Sequence, residues 1–405
     1  MSEYSLLQGN TLDVLKTLSD ESVDCVCTSP PYYGLRDYQT GEWIDGDENC
    51  KHKPHNTPGP NADVGNTISL LGRTPYKHYC PECGAIRVDQ QLGLEDTPEM
   101  YVDNLVQVFR EISRVLKDTG TVWVNLGDTY MGNGGASRHL GYNDPKYENG
   151  RNGDHIEPQA FKHNYIKPKS LIGIPWRVAL AMQYEGWIIR SDIIWHKINP
   201  LPESVRDRPT KAHEYIFLLV KNQKYYYDID AIREPFADGT LPRLRRGVSD
   251  HHKWLNGADG QSAHTMSIPR PNLNKIFGRT ERKMLNTGFG GDGPGLHEHS
   301  GYFDKDGRPR FNEKGRNRRT VWTVSVKPLK EKHYAAYPQE LIEPCILAGC
   351  PVGGVVLDPF CGSGTTGIVA LQNDRRFIGI DLNTEYLSIT EKRLTQVTVQ
   401  LKLKM

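Results

Sequence analysis

The sequence predicts an α/β protein built on a mainly parallel sheet. Three observations point there. Short, β-branched apolar runs recur along the chain, at Val23–Thr28, Thr121–Leu126 and Val355–Leu357, as buried parallel strands do. Stretches with helical apolar spacing alternate with them. Two of the runs end abruptly, one in prolines and one in glycines.

The elements follow in order. Tyr4–Gln8 reads as a strand, Thr11–Leu18 as a helix, and Val23–Thr28 as a strand stopped by Pro30 and Pro31, which cannot donate ladder hydrogen bonds. Residues 36–90 are polar and irregular. Thr97 as N-cap, Pro98 at the first position and Gly120 past the end predict a helix. Its Tyr101, Leu105, Val108, Ile112, Val115 and Leu116 form one apolar stripe. Strand Thr121–Leu126 follows, and then 131–165, rich in Gly, Asn and charge, reads as a mobile loop. Leu171–Tyr184 reads as a helix, with Trp187–Trp195 and Glu214–Val220 as strands. From Arg233 to Arg319 the pattern dissolves into Gly, Pro, Asn, His and Arg. It returns with a helix near Gln339–Ala348, strand Val355–Leu357, a helix from Thr365 and strand Phe377–Ile380.

The 405 residues carry 50 basic and 49 acidic side chains, so global charge points to no partner. Residues 241–320, however, hold 16 Lys and Arg against 8 Asp and Glu. That local excess suits a polyanion. The N-terminus lacks the basic start and apolar core of a signal peptide, and no apolar run is long enough to cross a bilayer. The eight cysteines form no disulfide framework in a chain of this length. The expectation is a cytoplasmic protein with reduced thiols.

The most informative stretch is Val355-Val356-Leu357-Asp358-Pro359-Phe360-Cys361-Gly362-Ser363-Gly364-Thr365-Thr366-Gly367. A buried strand enters a glycine loop and then a helix, whose first N–H groups lack intrahelical partners. Asp381 ends the next strand, 23 residues after Asp358, where a carboxylate can accept from ribose hydroxyls. The glycine spacing also matches a dinucleotide fingerprint. Against a nicotinamide enzyme, Asp358 would repel a pyrophosphate but suit an ammonium or sulfonium. Only 24 residues follow Asp381, too few to complete such a sheet. Earlier segments must complete it, in permuted order.

Asp358-Pro359-Phe360-Cys361-Gly362-Ser363-Gly364-Thr365-Thr366 resembles the adenosylmethionine-binding motif of amino-methylating DNA methyltransferases. Thr28-Ser29-Pro30-Pro31-Tyr32 resembles their catalytic motif, and His333-Tyr334-Ala335-Ala336-Tyr337-Pro338 resembles the segment preceding the cofactor loop. With the catalytic motif first, the order resembles the permuted β class. The resemblance covers roughly residues 4–130, 170–235 and 320–395.

It implies a Rossmann-like, permuted methyltransferase sheet divided into a catalytic half (1–235), a target-recognition region (236–319) and a cofactor half (320–405). It also implies S-adenosylmethionine held by Asp358, Pro359, Phe360, Gly362, Ser363, Gly364, Thr365 and Asp381, with Asn10 and Tyr337 nearby. Asn10 stands where the family often has Asp. Tyr32 would face an extruded base, while the Ser29 hydroxyl and the Pro30 carbonyl would accept from its amino group, with Pro31 stiffening the turn. In this family Ser before Pro-Pro-Tyr usually accompanies N4-cytosine, and Asp or Asn accompanies N6-adenine. Ser29 therefore favours cytosine, with adenine as the alternative. Methylation at a ring carbon would call for Pro-Cys-Gln, which does not occur.

Within an insert at about 45–90, Cys50-x-His52 and Cys80-x-x-Cys83 supply a tetrahedral zinc set, with His55 or His78 as substitutes for His52. The plain alternative is free thiols. Four protein ligands leave no open position, so the zinc would be structural. Arg243, Arg245, Arg246, Arg316, Arg318 and Arg319 of the basic region are candidate contacts to double-stranded DNA. A cognate restriction endonuclease is a candidate partner, and the chain would act as a monomer or homodimer away from membranes. Two rivals remain: an amino methyltransferase for protein or RNA, which would reverse the motif order, and a non-catalytic zinc-containing DNA-binding protein.

Overall fold

The computed structural model describes residues 3–34, 38, 40–50, 52, 80, 82–131, 163–200, 202–237, 312, 314–326 and 337–403. The chain groups into two compact units: Met1–Ile232 with Arg319–Met405, and Arg233–Arg318.

In the first unit the elements are β1 (Tyr4–Gln8), α1 (Thr11–Thr17), β2 (Val23–Thr28), β3 (Glu42–Ile44), β4 (Ile86–Val88), α2 (Pro98–Val115) and β5 (Leu116–Leu126). Then come α3 (Ile174–Tyr184), β6 (Ile188–His196), β7 (His213–Val220), β8 (Val321–Thr323), α4 (Gln339–Gly349), β9 (Val355–Asp358), α5 (Thr365–Gln372), β10 (Arg376–Asp381) and α6 (Thr384–Lys402). Eight strands form one sheet in the order β1-β10-β9-β2-β5-β7-β6-β8. β1, β10, β9, β2 and β5 are parallel neighbours, β7 is antiparallel to both β5 and β6, and β8 is parallel to β6. This large, mostly parallel sheet carries helices on both faces.

The side-chain alternation of the strands builds the two faces. Val26, Val122, Val124 and Leu357 join Leu15 of α1, the apolar face of α2 and Val178 of α3 in one core. Cys25, Cys27, Trp123 and Val356 point the other way, against Leu341 of α4, Ile368 of α5 and Leu394 of α6.

The sheet is mainly parallel, as expected, with β7 running back antiparallel beside β5. Two sequence expectations are corrected. The helix from Thr97 ends at Val115, and Gly120 lies within β5 instead of capping the helix. The cap comes from elsewhere: Lys221 Nζ donates to the carbonyls of Ser113 and Leu116 at 3.1 and 2.6 Å, satisfying groups that a helix end leaves open. Leu116 then pairs with Val23 before a bulge returns the register at Thr121 opposite Cys25. The helix expected from Leu171 starts at Ile174, after Gly173 in the left-handed conformation, with Asp128 Oδ1 accepting from the Gly173 and Ile174 amides. Neither the β3–β4 hairpin nor β8 had been read from the sequence. Of the loop expected at 131–165, Met131 is buried and exchanges backbone hydrogen bonds with Lys169 and Ser170; residues 132–162 lie outside the described residues. No helix among the described residues is long and apolar enough to cross a membrane.

In the second unit, Glu234 and Arg316 form an isolated antiparallel bridge. Arg233 donates to Gly315 O and Asn317 Oδ1 at 3.1 and 3.0 Å.

Candidate active site and metal cluster

The carboxyl ends of β1, β10, β9, β2 and β5 meet at one edge of the sheet. Parallel α/β sheets bind ligands at that edge, near the strands where the onward connections diverge. Here those strands are β9, which leads to β10 on one side, and β2, which leads to β5 on the other. A cleft of about 1130 Å³ opens there.

Tight backbone turns shape the β9 side. Gly362 and Gly364 have φ of +51° and +75°, a region side chains rarely enter. A Cβ on Gly364 would also stand 2.5 Å from Thr390. Asp358, at the end of β9, is 2 % exposed. Its Oδ1 accepts from Thr28 Oγ1 at 2.6 Å and Phe360 N at 3.1 Å; its Oδ2 accepts from Thr366 Oγ1 at 2.5 Å and the Tyr337 hydroxyl at 3.2 Å. Burial raises its pKa even so. Both oxygens of Asp358 are thus engaged by the protein.

Asp381 lines the same cleft. It accepts from Gly362 N and Asn383 N, each at 2.8 Å, and burial pushes its pKa up to about 6. Asn10 lines the cleft too and caps α1, its Oδ1 accepting from Leu12 N at 3.0 Å. Phe360, Ser363, Thr365 and Tyr337 are also cleft residues. Pro359 is set back, its carbonyl accepting from Thr11 Oγ1 at 2.7 Å. The hydroxyls of Ser363 and Thr365 are buried and have no protein partner. Buried polar atoms are rarely left so. Two such hydroxyls in a glycine cradle suit a polar ligand between β9 and Asp381, as S-adenosylmethionine would be.

On the β2 side, Ser29, Pro30, Pro31 and Tyr32 line the cleft. The Pro31 carbonyl is tied to the Tyr101 hydroxyl at 2.8 Å. The Tyr32 ring lies so close to Gly127 that a Cβ there would meet Tyr32 Cε2 at 2.4 Å. The Tyr32 hydroxyl lies 2.8 Å from Glu214 Oε2 and 2.9 Å from Asn125 Oδ1, and it accepts from Ser29 Oγ at 3.3 Å. Glu214 is in turn ion-paired with Lys197, whose ammonium also sits over the Trp195 ring. Burial, and then the charge of Glu214, raise the Tyr32 pKa well above that of a free phenol. Sequence reading had not named Asn125, Lys197, Glu214 or Gly127. The only local signal for Glu214 is a charge immediately before the apolar run that makes β7.

Away from the cleft, the ligand atoms of Cys50, His52, Cys80 and Cys83 all lie within 4.8 Å of one another. Cys50 Sγ is 3.7 Å from Cys80 Sγ, and Cys83 Sγ is 3.3 Å from His52 Nδ1. The antiparallel β3–β4 hairpin holds the group, and Trp43 stacks on His52 with ring centroids 5.1 Å apart. Gly84, at φ +75°, turns the chain so that its amide donates to Cys80 O at 2.8 Å. Hydrogen bonding from the Ala85 backbone helps bring the Cys83 thiol down to about 7. His55 and His78 lie outside the described residues.

Of the arginines expected at DNA, Arg243, Arg245 and Arg246 lie outside the described residues. Arg316 Nε pairs with Glu234 Oε2 at 3.1 Å. Arg319 is exposed.

With the fold and cleft in place, the family follows. The chain belongs to the amino DNA methyltransferases: the DNA methylase family model matches residues 23–392. It is an adenosylmethionine-dependent enzyme acting on an exocyclic amino group of cytosine or adenine in DNA. The type II methyltransferase M.Cfr9I of Citrobacter freundii is 35% identical over 390 residues, covering 96% of this chain and 87% of its own. M.SmaI of Serratia marcescens is 34% identical over 389 residues, covering 96% and 90%. A solved structure titled PvuII DNA methyltransferase (cytosine-N4-specific) aligns at 15% identity with a TM-score of 0.49, covering 98% of this chain and 91% of its own.

Proposed function

We propose that this enzyme methylates N4 of cytosine in double-stranded DNA, and that Ser29-Pro30-Pro31-Tyr32 and the β9 loop form its two working surfaces. The observation that carries the reading is Ser29 lining the cleft ahead of Pro-Pro-Tyr, where an adenine enzyme usually presents Asp or Asn. S-adenosylmethionine supplies an electrophilic methyl group on a sulfonium. Gly362, Ser363 and Thr365 would hold that molecule's polar groups, and Asp381 would accept from its ribose.

A paired cytosine hides its amino group, so the base must be extruded to reach the cleft. Its amino lone pair is delocalised into the ring and is a poor nucleophile. Ser29 Oγ and the Pro30 carbonyl, accepting from the two N–H bonds, would turn the lone pair toward the methyl group and stabilise the positive charge that grows on nitrogen. Tyr32, wedged against Gly127, would offer its ring to the base.

The region 236–319 would recognise the target, its arginines contacting phosphates and guanine edges, and affinity would fall steeply with salt. Cys50, His52, Cys80 and Cys83 would bind one structural zinc ion; the support is their mutual approach around a knuckle glycine. As the names of the type II relatives suggest, a restriction endonuclease would accompany the enzyme, which would work in the cytoplasm as a monomer or homodimer.

The deciding experiment incubates the purified protein with adenosylmethionine and unmethylated DNA and identifies the modified nucleoside by mass spectrometry. N4-methylcytosine is expected. N6-methyladenine would overturn the base assignment and leave the enzyme class standing.

A further inference from the structure

Methyl transfer to an exocyclic amine leaves a surplus proton on nitrogen, and the motif itself holds no carboxylate to take it. Ser29 is neutral, and the two prolines offer only carbonyls. The nearest anion reached through hydrogen bonds from Ser29 belongs to another strand.

Ser29 Oγ donates to the Tyr32 hydroxyl at 3.3 Å. The Tyr32 hydroxyl lies 2.8 Å from Glu214 Oε2. Glu214 is mostly buried, and its other oxygen is held by Lys197. Asn125 Oδ1, 2.9 Å from the same phenol, competes for its single proton. A carboxylate is the stronger acceptor. The Asn125 amide is fixed with its Nδ2 on Tyr215 O at 3.1 Å, so its oxygen faces the phenol and cannot take up a proton. The path is set by topology: β7 runs antiparallel to β5, so its first residues reach the edge where β2 and β5 end.

We infer that Ser29, Tyr32 and Glu214 form a proton relay that carries the surplus amino proton away from the base, with Glu214 as its terminal acceptor. The inference rests on the role proposed for Ser29. The amino nitrogen forms its bond to the methyl carbon as the carbon–sulfur bond breaks and its electron pair goes to sulfur. The N–H proton passes to Ser29 Oγ, the Ser29 proton to the Tyr32 oxygen, and the Tyr32 proton to Glu214. The positive charge of the sulfonium thus ends as a proton neutralising Glu214, which water later removes. An N-protonated aminopyrimidine is strongly acidic, so a carboxylate suffices as the terminal acceptor. Lys211, His213, Asp128, Glu203 and Arg208, which pairs with Glu203, are the other charged or titratable groups around this corner of the cleft. Glu214 is a positioning and relay residue, since it acts through Tyr32 rather than on the base.

The test is a single-turnover methylation rate across pH for the wild type, Glu214→Gln, Glu214→Asp and Tyr32→Phe, with thermal midpoint and affinities for DNA and adenosylmethionine measured in parallel. In the wild type the rate should fall at low pH, because the relay needs an unprotonated carboxylate at its end. Glu214→Gln should lose about 10²-fold in rate, the scale of a lost proton-transfer group, and should lose the acid limb of the profile while both affinities hold. Tyr32→Phe should do the same, and Glu214→Asp should restore part of the rate and the limb. An unchanged rate in Glu214→Gln, or a loss with the acid limb intact and both affinities reduced, overturns the relay. If Glu214→Gln does not fold, Tyr32→Phe decides alone by the same two criteria. The base assignment fails separately, through the identity of the wild-type product.

Discussion

Thr28 Oγ1 donates to Asp358 Oδ1 at 2.6 Å, joining residues 330 positions apart in the chain. Thr28 ends the strand that leads to Ser-Pro-Pro-Tyr, and Asp358 ends the strand that leads to the glycine loop. The two sides of the cleft, proposed to hold base and cofactor, are therefore bonded to each other beneath their loops. Thr28→Val keeps the shape and removes one donor from a buried carboxylate. It should cost about 1–3 kcal/mol of stability, read by denaturant unfolding, and should weaken adenosylmethionine binding. Unchanged stability would show that Thr366 and Tyr337 compensate.

Asp381 predicts a pH dependence of cofactor affinity. Its folded-state pKa is raised to about 6, against 3.8 for a free Asp. Through that window the folded protein binds more protons than the unfolded chain, so this group's contribution to stability is lost as pH rises from about 4 to about 6. Binding should move the opposite way, because an ionised Asp381 accepts from ribose hydroxyls more strongly. Calorimetry should show affinity rising up to about pH 6 and then levelling, with the rise absent in Asp381→Asn.

Gly127 is a steric gauge for Tyr32. A methyl group there would stand 2.4 Å from the ring, so Gly127→Ala must displace the tyrosine. The single-turnover rate should fall while adenosylmethionine affinity stays near that of the wild type. A normal rate would mean that the ring can shift without consequence.

Gly364 combines a φ of +75° with a Cβ position 2.5 Å from Thr390. Gly364→Ala should destabilise the protein by about 1–3 kcal/mol and weaken cofactor binding, measured by thermal unfolding with and without adenosylmethionine. A stabilising effect of the ligand equal to that in the wild type would dissociate the turn from the site.

The cysteine cluster predicts one zinc per chain by elemental analysis. Chelation should lower the thermal midpoint and expose Cys50, Cys80 and Cys83 to thiol reagents, since a metal that binds only the folded state stabilises it. Cys83→Ser should purify with less than stoichiometric zinc. A metal-free wild type with unchanged stability would favour free thiols.

The α/β class, the strands that end in the proline and glycine loops, and the permuted order of those loops were all legible in the residue order. Local physics dictates those residues: prolines must stop a strand, and glycines must accept positive φ at Gly362 and Gly364. The Cys50, His52, Cys80 and Cys83 spacing was legible for the same reason, because metal ligands come in short pairs. Helix ends were less so. Gly120 looked like a stop, yet Lys221, distant in the chain, caps the helix at Val115. Tertiary structure alone decided which groups surround Ser29. Glu214 and Asn125 meet at Tyr32, with Lys197 behind Glu214, only because β7 runs antiparallel to both β5 and β6. It decided the state of Asp358 as well: both of its oxygens are taken up by the protein, because Thr28, Tyr337 and Thr366 converge on it from separate elements. Local bonds, Phe360 N to Asp358 and Ser29 Oγ to Tyr32, supply only part of those surroundings; the rest close only when the sheet does.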